Sequence, residues 1–285
     1  FDVILCNPPW EMKQIDPREF FYDKDTSISN ASNMASRNKM ISELKKTNPS
    51  LYIKYFQAVS DDDHGKKFIH NSKKFPLTEF GRLNLAPLFA ENVVNLTKRI
   101  GRIGIVIPTG IATDSFNQYF FSYLVKNRHI ISLYDFENRD ALFPGVHRSY
   151  KFSLLALRGK SGQLTPSQSS HSLSEVPSPL MGEGQDEGEI YRDKGEISPS
   201  QFAFFLTRTE QLKDQHRVFN LTPQDFKLLN PNTQTCPIFR TREDAELTKK
   251  IYQRVPVLIN EKTGANPWGV KFMSMFHMSN DSHLF

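Results

Sequence analysis

The sequence has only two cysteines in 285 residues, Cys6 and Cys236, and no long hydrophobic run. Two cysteines cannot build the disulfide framework of a small secreted domain, and so few are typical of a reducing compartment. No apolar stretch approaches the roughly 20 residues that a membrane-spanning helix needs. These absences predict a cytoplasmic protein with no membrane partner.

The composition is that of a folded and mildly basic protein. Hydrophobic residues make up 38% of the chain, and 36 Lys and Arg against 31 Asp and Glu give a net charge of +5. This length accommodates one large domain, or a domain with a smaller one attached. The positive charge permits nucleic-acid binding without requiring it, and the oligomeric state is not indicated.

The chain opens on a strand pattern that runs directly into Asn-Pro-Pro-Trp. Residues 3–6 are apolar without alternation, which predicts a central parallel strand covered on both faces. Pro8 and Pro9 end this strand, because proline cannot donate to a ladder and restricts the residue before it. The Asn7 amide, the Pro8 carbonyl and the Trp10 ring are therefore predicted at the carboxyl edge of the sheet, where open α/β sheets bind ligands.

These three groups suit a planar ligand that carries an exocyclic amine. The Asn7 oxygen and the Pro8 carbonyl would accept the two amine hydrogens and stabilise the positive charge that develops as the nitrogen attacks a methyl donor. The Trp10 ring would stack on a base that has left its duplex. Cytosine-C5 chemistry is disfavoured, since neither Cys6 nor Cys236 directly follows a proline. The plainer interpretation is a strand-ending turn with a packing tryptophan.

Helical and strand patterns alternate after this motif. We predict a helical region at 34–58, a helix at 85–99, a strand at 103–107, a helix at 114–125, a strand at 130–136, a loop at 139–150 and a strand at 151–157. This order predicts an α/β domain over 1–158, the second half of a doubly wound sheet that ends in an antiparallel hairpin.

The composition changes after residue 158. Residues 159–199 are rich in Ser, Pro, Gly, Gln and Glu without periodicity, which predicts a flexible linker. Residues 200–285 are predicted as a second, mixed unit, with a strand at 202–206, helices at 209–216, 222–229 and from Thr241 to about Arg254, and β structure from Trp268 to Met278.

Motifs at residues 7–10, 84–91, 101–108 and 142–145, in this order, resemble those of DNA N6-adenine methyltransferases. The similarity is to the methyltransferase parts of fused (type IIG-like) restriction–modification enzymes and related phage-defence methylases. Within 200–258, Asn-Pro-Asn-Thr, Cys-Pro-Ile-Phe-Arg and Asp-Ala-Glu-Leu-Thr resemble the connector that precedes their target-recognition domain. The resemblance implies a Rossmann-like fold and S-adenosylmethionine-dependent methylation of a flipped adenine in double-stranded DNA.

The resemblance also assigns the residues that would hold the adenine. Asn7, Pro8, Pro9 and Trp10 correspond to the catalytic motif, in which Asn7 and Pro8 bind the amine and Trp10 stacks on the base. Phe143 is implied as the second wall of the base pocket. Phe152 is the alternative, and Phe143 could equally be an ordinary core residue.

Further residues are implied to contact the cofactor and the DNA. Asn7 and Phe89 correspond to cofactor-binding positions, although the helical spacing of Phe89 is equally typical of core packing. Arg148, Lys45 and Lys46 are candidates for DNA phosphate contacts, with a solvated charged surface as the plainer alternative. No metal site is predicted.

One part of the family pattern does not occur in this sequence. The glycine-rich loop that cradles S-adenosylmethionine would precede residue 7, so we expect the chain to be part of a larger enzyme and to be inactive alone. Asn-Pro-Pro-aromatic motifs also serve enzymes that methylate RNA adenines or protein glutamines. The residues after the linker favour DNA, and a non-catalytic DNA-binding remnant stays open as an alternative.

Overall fold

The computed structural model describes residues 1–159, 199–273 and 275, and within these ranges the chain has an α/β fold built on a six-stranded sheet. The predicted linker at 159–199 lies outside the described residues except for its two end residues. The strands are β1 Val3–Cys6, β2 Arg102–Pro108, β3 Ile130–Glu137, β4 Lys151–Arg158, β5 Ser200–Leu206 and β6 Phe219–Leu221.

The sheet is mixed, with the order β1-β2-β4-β3-β5-β6. β1 is parallel to β2 and β3 is parallel to β5, whereas β4 is antiparallel to both of its neighbours and β6 is antiparallel to β5. The predicted antiparallel hairpin is therefore confirmed as β3–β4, with β4 inserted between β2 and β3. The arrangement is compatible with a Rossmann-like fold.

Helices connect these strands and form a separate cluster after β1. They are α1 Pro17–Phe21, α2 Thr26–Ser29, α3 Met34–Thr47, α4 Pro49–Asn71, α5 Leu85–Leu96, α6 Gly110–Thr113, α7 Gln118–Lys126, α8 Pro223–Leu229 and α9 Arg242–Arg254. Among the described residues, no helix combines the length and apolarity needed to cross a bilayer.

The helical region predicted at 34–58 is two helices, α3 and α4. Asn48 ends the first and caps the second through its side-chain oxygen, and Pro49 occupies the first turn of α4, where its missing N–H is not needed. The cluster α1–α4 has its own core, built from Phe21, Ile28, Ile41, Leu44 and Leu51.

The helix predicted at 114–125 starts later than expected. A single turn, α6, and a 3-10 turn at Ser115–Asn117 precede α7, because Asp114 adopts an extended conformation that interrupts the helix. Residues 209–213 likewise form a 3-10 helix instead of the predicted α-helix. The β structure predicted from Trp268 is not found in residues 268–273, and most of residues 274–278 lie outside the described ranges.

The two faces of the sheet are covered unequally. On one face, residues of α5, α7 and α8 pack with the strands into the main core. On the other, an apolar depression lined by residues such as Leu5, Val106 and Leu154 is open. The expectation that β1 is a central strand covered on both faces is wrong for the described chain: β1 lies at an edge of the sheet, and Val3 and Leu5 are 61% and 79% exposed.

The sheet extends past the predicted boundary at residue 200, because β5 and β6 hydrogen-bond to the strands of the first unit. Where β5 pairs with β3, the register shifts and Phe205 has a φ of 58°. A bulky side chain rarely adopts this left-handed conformation. The buried Asp135 carboxylate of β3 stabilises it by accepting hydrogen bonds from the Phe205 N–H at 3.2 Å and from the Thr109 hydroxyl.

We expect Asp135→Asn to leave the free energy of unfolding at neutral pH unchanged or raised, and Asp135→Ala to lower it by about 2 kcal/mol. The amide keeps an acceptor for Phe205 and can donate to the Thr109 hydroxyl, whereas alanine leaves a buried N–H unpaired. Burial raises the pKa of Asp135 above its ordinary 3.8, so ionisation in the folded state costs stability as the pH rises through that raised pKa.

Denaturant unfolding at pH 3 and at pH 7 checks this prediction. The gain of the asparagine variant over the wild type should shrink at the lower pH, where Asp135 is protonated in both states. Equal destabilisation by asparagine and alanine at neutral pH would show that the carboxylate charge itself is required.

Candidate active site

The Asn-Pro-Pro-Trp motif lies at the carboxyl end of β1 and lines an open cavity. β1 ends at Cys6, and the extended segment that follows carries the motif across the sheet edge. The cavity has a volume of about 360 Å³ and is lined by Asn7, Pro8, Pro9, Trp10, Phe143, Val146, Tyr150 and Phe152. The fold therefore brings the predicted catalytic motif together with both candidates for the second aromatic wall.

Both predicted acceptors are available to a ligand. The Asn7 side chain is exposed, and no hydrogen bond joins it to any described residue. The Pro8 carbonyl likewise accepts no hydrogen bond within the described ranges. An amide oxygen and a carbonyl each retain acceptor capacity, so the two groups could take both hydrogens of one amine.

Trp10 is held at the cavity by its backbone and by the core. The Asn84 side chain donates a hydrogen bond to the Trp10 carbonyl at 3.3 Å, and its oxygen caps α5 by accepting from the Ala86 N–H. The half-buried indole ring packs against both core clusters of the sheet, and its buried Nε1–H has no hydrogen-bond partner. An unsatisfied buried donor costs about 1–3 kcal/mol, so this ring position is maintained by packing alone.

The opposite side of the cavity is aromatic. Phe143 and Phe152 meet edge to face with ring centroids 5.0 Å apart, and Phe152 stacks on Phe136 at 5.6 Å. Phe143 is 41% exposed whereas Phe152 is 4% exposed. Phe143 is therefore the ring that a ligand can reach, and Phe152 supports it from the core.

Asn138, which sequence analysis missed, shapes the loop that carries Phe143. Its fully buried side chain accepts a hydrogen bond from the Phe143 N–H at 2.9 Å. The same amide donates to the Phe143 carbonyl at 3.0 Å and to the Val146 carbonyl at 2.8 Å. The only sequence signal is its place directly after β3, at the edge of the sheet where ligands bind.

Neither cysteine has the environment of a nucleophile. Cys6, the residue before the motif, is half-buried, and burial raises the pKa of its thiol. Cys236 is buried, and desolvation raises its pKa well above the ordinary value. Reactive cysteines need a lowered pKa, so the thiols offer no covalent chemistry at this site.

The other predicted site residues lie at the surface. Phe89 on α5 is 44% exposed, so the alternative that it is a core residue is wrong. Lys45 and Lys46 are exposed in the last turn of α3 and form no ion pair with the described residues. Arg148 is exposed in the Phe143 loop, where its charge helps to lower the pKa of Asp140. Their roles in binding cofactor or DNA stay predictions.

Comparison with known proteins assigns no family. The chain matches no protein-family model, and it matches no curated protein. The functional argument therefore depends on the residues that line the cavity at the carboxyl end of β1.

Proposed function

We propose that this chain is the catalytic part of a site-specific DNA adenine-N6 methyltransferase that uses S-adenosylmethionine. The observation that carries the proposal is the cavity that combines two unpaired acceptors, Asn7 and Pro8, with aromatic rings on both sides. The resemblance of its motifs points to a restriction–modification or phage-defence system.

The geometry favours a flat aromatic amine over an aliphatic amide as the substrate. Trp10 and Phe143 offer ring surfaces that gain free energy by stacking on a base, about 1–3 kcal/mol per base. Between them, the Asn7 oxygen and the Pro8 carbonyl would orient the adenine amine with its lone pair directed away from the ring. Because these dipoles are fixed before the reaction, they stabilise the positive charge that develops on the nitrogen.

Residues of this chain also fit the methyl donor. Phe89 is an exposed ring without an aromatic partner among the described residues, and the Asn7 amide is unpaired, so both would be free to contact S-adenosylmethionine. When bound, this cofactor supplies an electrophilic methyl group on a sulfonium. The protein would need no proton acceptor before the attack, which agrees with the lack of a histidine or carboxylate in the cavity lining.

The test is methyl transfer by the full-length protein with tritium-labelled S-adenosylmethionine. Duplex DNA, a structured RNA and a protein extract are offered in parallel, and labelled DNA is digested to nucleosides. We expect label in N6-methyladenosine from DNA. Label confined to RNA, to protein or to methylcytosine would overturn the proposed substrate.

A further inference from the structure

The strained residue Phe205 holds two cations over one aromatic ring. The Arg240 guanidinium lies 4.4 Å from the ring centroid, and the Lys151 ammonium lies 5.0 Å from it. Cation–π attraction operates over these distances and favours arginine. Because Asp135 stabilises the left-handed backbone of Phe205, a buried network fixes the ring that gathers the two charges.

Arg240 is delivered to this ring by a segment that is anchored in the core. It is the last residue of Cys-Pro-Ile-Phe-Arg, a motif to which the proposed chemistry gives no task. The buried Cys236 donates its N–H to the Ala112 carbonyl at 2.7 Å, and Phe239 packs edge to face on Phe219 at 5.6 Å. Two fixed points on the same segment leave the arginine little freedom to move elsewhere.

The surroundings of the ring carry excess positive charge. Glu137 pairs with Lys151 at 3.1 Å and with Arg139 at 2.5 Å, so one carboxylate faces two cations. Arg240 forms no ion pair or hydrogen bond with a described residue and is exposed to solvent. Three positive charges against one negative charge create a local field that attracts an anion.

This basic cluster, defined as Lys151, Arg240 and Arg139, lies at the same sheet edge as the cavity. Lys151 pairs in register with Glu137, the last residue of β3, and Phe152, which lines the cavity, is the next residue along β4. Neighbouring residues in a strand point to opposite faces. An extended polyanion lying across the carboxyl edge could therefore contact the cluster while one of its units occupies the cavity.

We propose that Lys151 and Arg240 bind a backbone phosphate of duplex DNA close to the nucleotide that enters the cavity. The identity of the polyanion rests on the proposed function. Arginine offers a planar fork and lysine a point charge, a pair well suited to phosphate oxygens. Such contacts position the duplex and carry no sequence information.

The test measures DNA affinity of the full-length protein by fluorescence anisotropy between 50 and 200 mM salt, without methyl transfer. Each lost phosphate contact reduces the slope of log affinity against log salt by about 0.9. Over this fourfold range of salt, the affinity deficit of Arg240→Gln or Lys151→Gln relative to wild type should therefore change about 3.5-fold per contact. The loss should be equal for specific and non-specific duplexes.

Lys126→Gln is the matched control, because Lys126 is an exposed cation at the end of α7, just before β3 begins and thus at the opposite edge of the sheet. It removes the same charge and should leave the slope unchanged. A slope unchanged in Arg240→Gln, equal effects in Lys126→Gln, or losses seen only on an RNA duplex would overturn the proposal. A reduced slope in a protein that methylates no DNA would uphold the phosphate contact and refute the proposed function alone.

Discussion

Asn7→Ala in the full-length protein is expected to lower kcat for methyl transfer by about 100- to 1000-fold, the range seen when one preorganised group that stabilises transition-state charge is removed. The side chain has no other task among the described residues, since it forms no hydrogen bond with them. Its loss should therefore leave folding unchanged. DNA affinity should also persist, because the amide acts on the base amine and not on phosphates.

Asn7→Asp separates the acceptor from the rest of the amide. The carboxylate keeps an oxygen at the same place, so we expect it to retain more activity than alanine. Single-turnover tritium transfer, with anisotropy as the binding control, gives both numbers. An alanine variant within about tenfold of wild type, roughly 1.4 kcal/mol, would contradict the proposed role of Asn7.

The local patterns of the sequence predicted the part of the site that follows directly from one strand. The apolar run before Asn7 and the two prolines after it place the motif at a strand end, because strand formation and its termination depend on adjacent residues. The same holds for Thr241, which caps α9 as predicted by accepting from the Asp244 N–H. The β3–β4 hairpin also follows from neighbouring segments.

What the sequence could not predict are contacts between distant segments. Asn84 supports Trp10 from 74 positions away, and β5 joins β3 across the whole predicted linker. Neither pairing leaves a periodic signal, because each depends on where the chain returns after a long excursion. The exposure of Phe89 is similar: its spacing is typical of a helix, but spacing alone does not reveal which face the sheet covers.

Asn138 is the missed residue with the largest expected consequence. It is buried at the end of β3, and its amide makes three hydrogen bonds to the loop that carries Phe143. Each such bond contributes about 1 kcal/mol. Asn138→Ala should therefore release the loop, and we expect a fall in the free energy of unfolding of about 2–3 kcal/mol together with loss of the ordered Phe143 wall.

Asn232→Ala is the matched control for this variant. Asn232 also joins a loop through its amide, donating to the Ile259 carbonyl at 3.0 Å and accepting from the Glu261 N–H at 3.0 Å, and it does not line the cavity. It should lower stability without changing how a base is bound. Chemical denaturation reports the first effect, and 2-aminopurine fluorescence at the target position of a duplex reports the second.

A double-mutant cycle with Phe143→Ala tests whether Asn138 acts through Phe143. If the asparagine serves to place that ring, then removing it from a protein that already lacks the ring should cost no further base binding, and the two losses will not add. Additive losses would mean that the Asn138 loop contributes a contact other than Phe143. A 2-aminopurine signal that persists in Asn138→Ala would show that the cavity holds the base without this wall, leaving Trp10 as its main stacking partner.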